Sequence, residues 1–220
     1  MNDCKFEINN QDCENFICNF RNLRDFRIGF RKTFKYIVAF HATNLSDKEL
    51  ENVKKDGLKI ASKKLLEEKA IHRFIPKALK NDTKKIKESI KEWFTNEDPN
   101  EDKLYTKNEI NFFVLKEDLL EHYHYLLFGA EALLPLSNYL SKKHHNSFRK
   151  ILVNSGSHYI FEVLVPVVDT KDIWIDTFYN YFYDGYSDVC LVIYNNLSTE
   201  NIVKIEKVER PIDRLGLIFK

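Results

Sequence analysis

The chain has little glycine and proline, with six and five residues in 220, and this argues against a linker-rich or disordered protein. No apolar run approaches the roughly 18 residues of a membrane span, so we expect no membrane partner. The first residues, Met1 to Cys4, include neither a basic nor an apolar segment, which argues against an export signal. We therefore expect a cytoplasmic protein.

Zinc and redox motifs are also absent, because none of the four cysteines lies at the short spacing that such sites use. The four are Cys4, Cys13, Cys18 and Cys190. Reduced thiols are the interpretation that suits the cytoplasm. The sequence also lacks the phosphate-binding loop, the serine-hydrolase elbow and the zinc metalloprotease motif. We therefore expect no bound metal and no chemistry of those three classes.

Charge is segregated along the chain, although the net charge is only +1. Residues 21–35 hold six basic residues and one acid, and residues 54–91 hold thirteen basic and five acidic residues. Residues 92–131 reverse the balance, with ten acids and three lysines. A basic region of this kind suits an anionic partner such as nucleic acid, and solvated helix faces are the alternative explanation.

Hydrophobic periodicity predicts helices mainly in the first half of the chain and strands mainly in the second. Residues 10–33 are predicted to be helical, and a further helix begins at Ser46, where Ser46 and Glu49 fit a capping box. Strands are predicted at 36–41, 110–115, 158–165, 189–194 and 202–208, with a short one at 173–175. This succession predicts an α+β fold with a single mixed β-sheet and helices concentrated in the N-terminal half. We expect one domain over residues 1–220, with a helical N-terminal segment at 1–34.

The carboxyl end of the first predicted strand carries two polar residues, His41 and Thr43. Residues two apart on an extended chain point to the same face. Both side chains can form hydrogen bonds with a ribose or with an amide edge. The alternative is a buried histidine that the protein core satisfies.

The segment at residues 40–45, Phe-His-Ala-Thr-Asn-Leu, is followed by the predicted helix and then by Gly57-Leu58. It resembles the opening motif of the ADP-ribosyltransferase fold, in the branch that includes poly-ADP-ribose polymerases and DNA-modifying toxins of the DarT type. The resemblance covers about residues 35–165. It implies a split, ADP-ribosyltransferase-like sheet and NAD as the substrate.

The resemblance also implies roles for the individual residues of this segment. His41 is expected to donate or accept a hydrogen bond with the adenosine-side ribose of NAD. The backbone around Ala42 is expected to hold the nicotinamide amide, while Thr43 and Asn44 shape the pocket.

A second match is the segment Tyr159-Ile-Phe-Glu162-Val-Leu-Val-Pro166, which resembles the strand that carries the catalytic glutamate in DarT-like members. The resemblance implies that Glu162 is catalytic. Cleavage of the nicotinamide–ribose bond passes through an oxocarbenium-like state, which a carboxylate stabilises. The alternative is that Glu162 faces solvent on a half-buried strand.

The family also stacks an aromatic ring on nicotinamide, and the nearest equivalents are Phe113 and Tyr125. Phe113 lies on the strand predicted at 110–115, and Tyr125 lies near a helix junction that also carries Glu131. Core packing is the alternative for both rings. Arg73 lies in the interval where DarT-like enzymes carry an arginine, but its local sequence does not match.

These features together predict an NAD-dependent ADP-ribosyltransferase, acting as a toxin or as an antiviral defence effector. Glu162 and His41 are its predicted catalytic residues, and its acceptor is a nucleic acid or a protein. An antitoxin or inhibitor protein is a further expected partner. Two alternatives stay open, a non-catalytic nucleic-acid-binding module and a metal-independent ribonuclease that uses His41.

Overall fold

A computed structural model describes residues 4–75, 82–95, 108–121, 124–129, 133–185 and 189–212. In these ranges the chain forms ten α-helices and one six-stranded sheet, which confirms the predicted α+β class. Helices are somewhat more abundant before Ile110, and four of the six strands begin at or after that residue.

The helices are α1 (Gln11–Cys18), α2 (Leu23–Thr33), α3 (Asp47–Asp56), α4 (Lys63–Phe74), α5 (Thr83–Thr95), α6 (Lys116–Glu121), α7 (His124–Phe128), α8 (Leu133–His144), α9 (Phe148–Val153) and α10 (Asp172–Asp184). The strands are β1 (Lys5–Phe6), β2 (Tyr36–Leu45), β3 (Ile110–Phe113), β4 (Ser157–Pro166), β5 (Cys190–Ile193) and β6 (Ile202–Val208). None of the described helices has the length and apolar character that crossing a membrane requires.

The sheet has the strand order β5-β3-β2-β4-β6, and β1 pairs with β2 in parallel while the other pairs are antiparallel. The mixed sheet is therefore confirmed. Strands β2 and β4 pair along their full length, from Tyr36–Pro166 to Leu45–Ser157. In contrast, β2 and β3 share a single pair in the described chain, Phe40–Phe113. The sheet is thus continuous on one side of β2 and opens on the other.

Strand β2 is longer than predicted, because it continues past residue 41 to Leu45. Full-length pairing with β4 supplies hydrogen-bond partners to these additional residues. His41 therefore lies within the strand, and Thr43 is also a strand residue. Their side chains share one face of the sheet, as the alternation of an extended chain predicts.

Helix is confirmed over most of residues 10–33, as the two helices α1 and α2, because Asn22 caps α2 through a hydrogen bond from the Asp25 amide to its side chain, 3.0 Å long. Another secondary-structure prediction was wrong. The short strand predicted at 173–175 lies in α10. There Ile175 and Phe178 are buried at a helical spacing of three and join the main core.

Buried apolar residues form three clusters in the described chain. The largest lies between the sheet and helices α1, α2 and α10, and its aromatic centre includes Phe6, Phe30 and Phe178. A second cluster joins α4, α5, α8 and α9. The third lies on the other face of the sheet, beneath α6 and α7. Helices α3 and α4 lie beside the carboxyl half of β2, where the polar residues of the strand lie.

Candidate functional site

Helix α3 begins directly after β2 with the predicted capping box, which is confirmed. The Glu49 amide donates to Ser46 Oγ over 3.4 Å, and the Ser46 amide donates to Glu49 Oε2 over 2.8 Å. The helix ends at Gly57, whose φ of 78° lies in the region that favours glycine. The next residue, Leu58, forms an antiparallel bridge with Leu197. Both ends of α3 are therefore held in place beside β2.

A cavity of about 400 Å³ lies where β2 and β3 separate. Its walls come from the carboxyl half of β2, from α3 and α4, and from the beginning of β3. Five of the seven predicted site residues line it, namely His41, Ala42, Thr43, Phe113 and Tyr125. The fold thus brings together residues from three separate parts of the sequence.

His41 is held at this opening by a hydrogen bond between its Nδ1 and the backbone carbonyl oxygen of Asn111, 2.9 Å long. Because a carbonyl can only accept, we assign the ring proton to Nδ1. In the neutral form of the ring, Nε2 would then be the acceptor atom. The bond joins β2 to β3 just beyond the Phe40–Phe113 pair, so it fixes the ring at the mouth of the gap.

The aromatic edge of the cavity consists of Phe113 and Tyr125. Their ring centroids lie 5.8 Å apart at an interplanar angle of 61°, an edge-to-face arrangement. Phe113 is buried, and Tyr125 is only partly buried. Both rings belong to the lining of the cavity.

Asn44 does not line the cavity, although the resemblance gave it a role there. Its side chain is buried, and its amide nitrogen donates to the carbonyl oxygens of Leu127 and Val153, each 3.2 Å away. Its Oδ1 accepts a hydrogen bond from Arg73 over 2.6 Å. Every polar atom of the side chain is thereby engaged with the protein, so Asn44 ties β2 to α7, α9 and α4.

His158 lies next to Asn44 and is also buried. Its Nδ1 lies 2.6 Å from the carbonyl oxygen of Leu126, so Nδ1 carries the proton and donates it. The same atom lies 3.3 Å from the Asn44 amide nitrogen, and two donors cannot form a hydrogen bond with each other. Burial lowers the pKa of His158 and favours the neutral ring. The residue therefore belongs to the structural network behind β2.

Arg73 uses all five of its N–H groups within the protein. Nη1 donates to Asn44 Oδ1 and Ser155 Oγ, Nη2 donates to the Asn44 carbonyl oxygen and Glu49 Oε2, and Nε donates to Glu49 Oε2. Its side chain is 2% exposed, and that of Glu49 is 9% exposed. No donor of the guanidinium remains for a ligand, so the role of Arg73 is to position the end of β2 against α3 and α4.

Glu49 lies in the cavity wall and supplies the negative charge that pairs with Arg73. Its Oε2 accepts the bonds from Ser46 and Arg73, whereas its buried Oε1 has no hydrogen-bond partner among the described residues. Burial raises the pKa of the Glu49 carboxyl, but the positive charges of Arg73 and Lys69 outweigh that effect and hold it below its ordinary value. The carboxylate is therefore ionised at neutral pH.

Glu162 lies away from His41. In the antiparallel register Glu162 is opposite Phe40, whereas His41 is opposite Phe161. Directly opposed residues share a face and successive residues alternate, so the Glu162 and His41 side chains point to opposite faces of the sheet. On its other side Glu162 is opposite Lys204 on β6. The structure does not bring the two predicted catalytic residues together.

Four other carboxylates line the cavity, namely Glu49, Asp56, Glu68 and Glu109. Sequence reasoning did not assign them to a site. Glu109 stands immediately before β3, two residues from the Asn111 carbonyl that holds His41. A charged residue at the start of an apolar strand is the signal that could have identified it. Glu131 lies outside the described residues.

Comparison of the chain with protein-family models, with curated proteins and with solved structures finds no match. Within the described ranges, no group of three or more His, Cys, Asp or Glu side chains is arranged to hold a metal ion. The functional argument therefore depends on the residues of the cavity.

Proposed function

We propose that the cavity binds NAD and that the protein transfers ADP-ribose from NAD to an acceptor. One observation carries this proposal. Residues assigned to NAD from separate sequence segments, His41 to Thr43, Phe113 and Tyr125, line the same cavity. A volume of about 400 Å³ suits a small-molecule site, for which about 300–1,000 Å³ is usual.

The chemistry requires breaking the bond between the nicotinamide nitrogen and C1′ of the ribose. Nicotinamide leaves with the bonding electron pair, and positive charge develops on the ribose ring as in glycoside cleavage. A nucleophile of the acceptor then forms the new bond to C1′ and loses its proton to a base. The protein has to orient the ribose, stabilise the charge and support the leaving group.

His41 suits the task of orienting the ribose, and the aromatic edge suits the task of supporting the nicotinamide leaving group. The bond to Asn111 fixes the imidazole, and a fixed imidazole can bind ribose hydroxyls without losing side-chain freedom on binding. Phe113 and Tyr125 offer a surface for the nicotinamide ring. Both features lie at the opening between β2 and β3.

The charge on the ribose calls for a carboxylate in the cavity, and Glu109 is the one that we assign. Glu49 is bound to Arg73 and Asp56 is paired with Lys59, whereas Glu109 is partly buried and lies close in sequence to the residue that holds His41. Glu162 is not among the described residues that line the cavity. We therefore propose Glu109 in the role that the resemblance gives to Glu162.

Release of nicotinamide from NAD and transfer of labelled ADP-ribose to RNA, DNA or protein test this function. We expect His41→Ala and Glu109→Gln each to lower the rate about a hundredfold or more, as loss of a charge-stabilising group does. Glu162→Gln is the matched control and should keep the rate within a few-fold. Full activity in Glu109→Gln together with loss in Glu162→Gln would return the catalytic role to Glu162. No nicotinamide release from the unmodified protein would overturn the transferase proposal.

Nucleic acid is the acceptor that the charge distribution favours. No acidic residue occurs from Leu133 to Phe161, a stretch that forms α8, α9 and most of the first half of β4. Its four charged residues are Lys142, Lys143, Arg149 and Lys150. These helices pack with α4 and α5 in one apolar cluster, and α4 also lines the cavity. A basic helical surface beside the cavity can hold a phosphate backbone during transfer.

A further inference from the structure

The cavity has few positive charges that a ligand can use. The basic side chains among its described lining residues are His41, Lys59 and Lys69. Lys59 Nζ pairs with Asp56 over 2.8 Å, and Arg73 behind the wall has no donor left. Lys69 makes no hydrogen bond or ion pair within the described chain. Among the lining residues that the structure describes, Lys69 is therefore the lysine that has neither a hydrogen-bond nor an ion-pair partner.

The surroundings of Lys69 make this lack of a partner costly. The residue is partly buried on α4, where it lines the cavity together with Leu65 and Leu66. Burial and the positive charge of Arg73 lower the pKa of Lys69, and the attraction of Glu49 offsets this only in part. Glu49 lies beyond ion-pair distance and has committed its Oε2 to Arg73. An incoming anion would supply the missing counter-charge.

We propose that Lys69 is the phosphate-binding residue of this cavity and that its ligand carries a nucleoside diphosphate. Lysine binds phosphate as a compact point charge, and the rest of the cavity offers hydrogen-bonding and aromatic groups for ribose and base. The proposal rests on the proposed function, since the diphosphate of NAD is the anion expected there. Glu68 also lines the cavity but is exposed to solvent, which screens its repulsion of the anion.

Calorimetric titration with ADP, adenosine and NAD tests the assignment in the unmodified chain and two variants. Lys69→Met keeps the length of the side chain and removes its charge, and Lys64→Met is the matched control on the exposed face of α4. We expect Lys69→Met to weaken ADP and NAD binding by about tenfold to a hundredfold, the usual effect of losing one charged hydrogen bond. Adenosine should bind equally to all three proteins. In a third variant, Lys69→Arg, part of the ADP affinity should return, because the positive charge is restored.

The outcomes separate this inference from the transferase proposal. Unchanged ADP affinity in Lys69→Met, or an equal loss for adenosine and ADP, would overturn the role of Lys69, even if the unmodified protein transfers ADP-ribose. Lys69-dependent ADP binding without nicotinamide release would support the phosphate site and overturn the transferase. Failure of the unmodified protein to bind either ADP or NAD would overturn both.

Discussion

Arg73 donates two hydrogen bonds to one residue of β2, Asn44, with Nη2 bound to its backbone carbonyl oxygen over 2.5 Å and Nη1 bound to its side-chain oxygen over 2.6 Å. The same guanidinium binds Glu49 at the beginning of α3. A single side chain of α4 thus fixes the end of the strand and the beginning of the next helix. Thr43 precedes Asn44 in the sequence and Glu49 follows it, and both residues line the cavity. Arg73 therefore helps to hold both of them in position.

Replacement of Arg73 should therefore destabilise the fold. We expect Arg73→Met to lower the free energy of unfolding by about 3–5 kcal/mol, because it leaves the Glu49 carboxylate buried without its cation. Urea denaturation measures this. Arg73→Lys should also destabilise, since a lysine cannot supply five donors. Arg24→Met on the exposed side of α2 is the control and should change stability by less than about 0.5 kcal/mol; equal effects at both positions would contradict the structural role of Arg73.

The Glu49 carboxylate should make the free energy of unfolding depend on pH. Its pKa is lower in the folded protein than in the unfolded chain, so the unfolded chain binds the proton first as the pH falls. Its contribution is complete above about pH 4.3, the ordinary value for glutamate, and is lost as the pH falls through the folded value. We expect Glu49→Gln to be less stable than the parent at pH 6, with the difference shrinking towards pH 3. Thermal unfolding over that range measures it, and a difference independent of pH would contradict the ionised pair.

His158 should add a second dependence at higher pH. Burial lowers its folded pKa below the unfolded value of about 6.5, so stability is complete above that pH and falls as the pH decreases through the folded value. His158→Asn places an amide donor near the position of Nδ1 and cannot titrate. We expect this variant to lose the decline in stability between pH 6.5 and pH 5, a range that lies above the titration of Glu49. If the stability of the variant falls as steeply as that of the parent, the pH dependence comes from a group other than His158.

Two glycines with positive φ offer a matched pair. A Cβ at Gly57 would lie 2.0 Å from the Leu197 carbonyl oxygen, whereas a Cβ at Gly185 would meet nothing within 4 Å. Gly185→Ala should therefore cost only the conformational penalty, about 1–2 kcal/mol. We expect Gly57→Ala to cost more than that and to weaken NAD binding, because the strand bridge at Leu58 and the cavity wall must shift. Denaturation and titration of the two variants measure this, and equal costs would contradict the close contact.

Salt dependence tests the proposed nucleic-acid acceptor. If the basic surface of α8 and α9 binds phosphates, replacing the exposed Lys142 and Lys150 by alanine should reduce the slope of log affinity against log salt by about 2. The measurement is titration of a labelled RNA or DNA oligonucleotide at several salt concentrations. Arg24→Ala with Lys32→Ala, on the exposed side of α2, is the charge-matched control. A reduction of the same size in the control would indicate a non-specific charge effect.

The elements that sequence reasoning predicted well depend on neighbouring residues. The capping box of Ser46 and Glu49 is confirmed, since its four residues determine it locally. The prediction at 173–175 was wrong because three apolar residues in a row suit both a strand and a buried helix. The face on which Glu162 lies depends on its register with β2, which follows from contacts more than a hundred residues apart.

The same distinction holds for the candidate site. His41 and Thr43 could be assigned from their spacing within one strand, and both line the cavity. The partners of Arg73 come from three distant segments, so its local sequence gave no indication that its donors are fully engaged. Lys69 becomes the candidate for phosphate binding because the donors of Arg73 are engaged within the protein. Pairings of this kind are set by the tertiary fold.

The Phe40–Phe113 pair has a mechanical consequence. Ten residue pairs join β4 to β2, whereas in the part of the chain that the structure describes β3 shares one residue pair with β2, next to the bond from His41 to Asn111. The β2–β3 joint therefore has fewer backbone pairs than the β2–β4 joint, and a change of angle at the β2–β3 joint would leave every bond of the β2–β4 ladder intact.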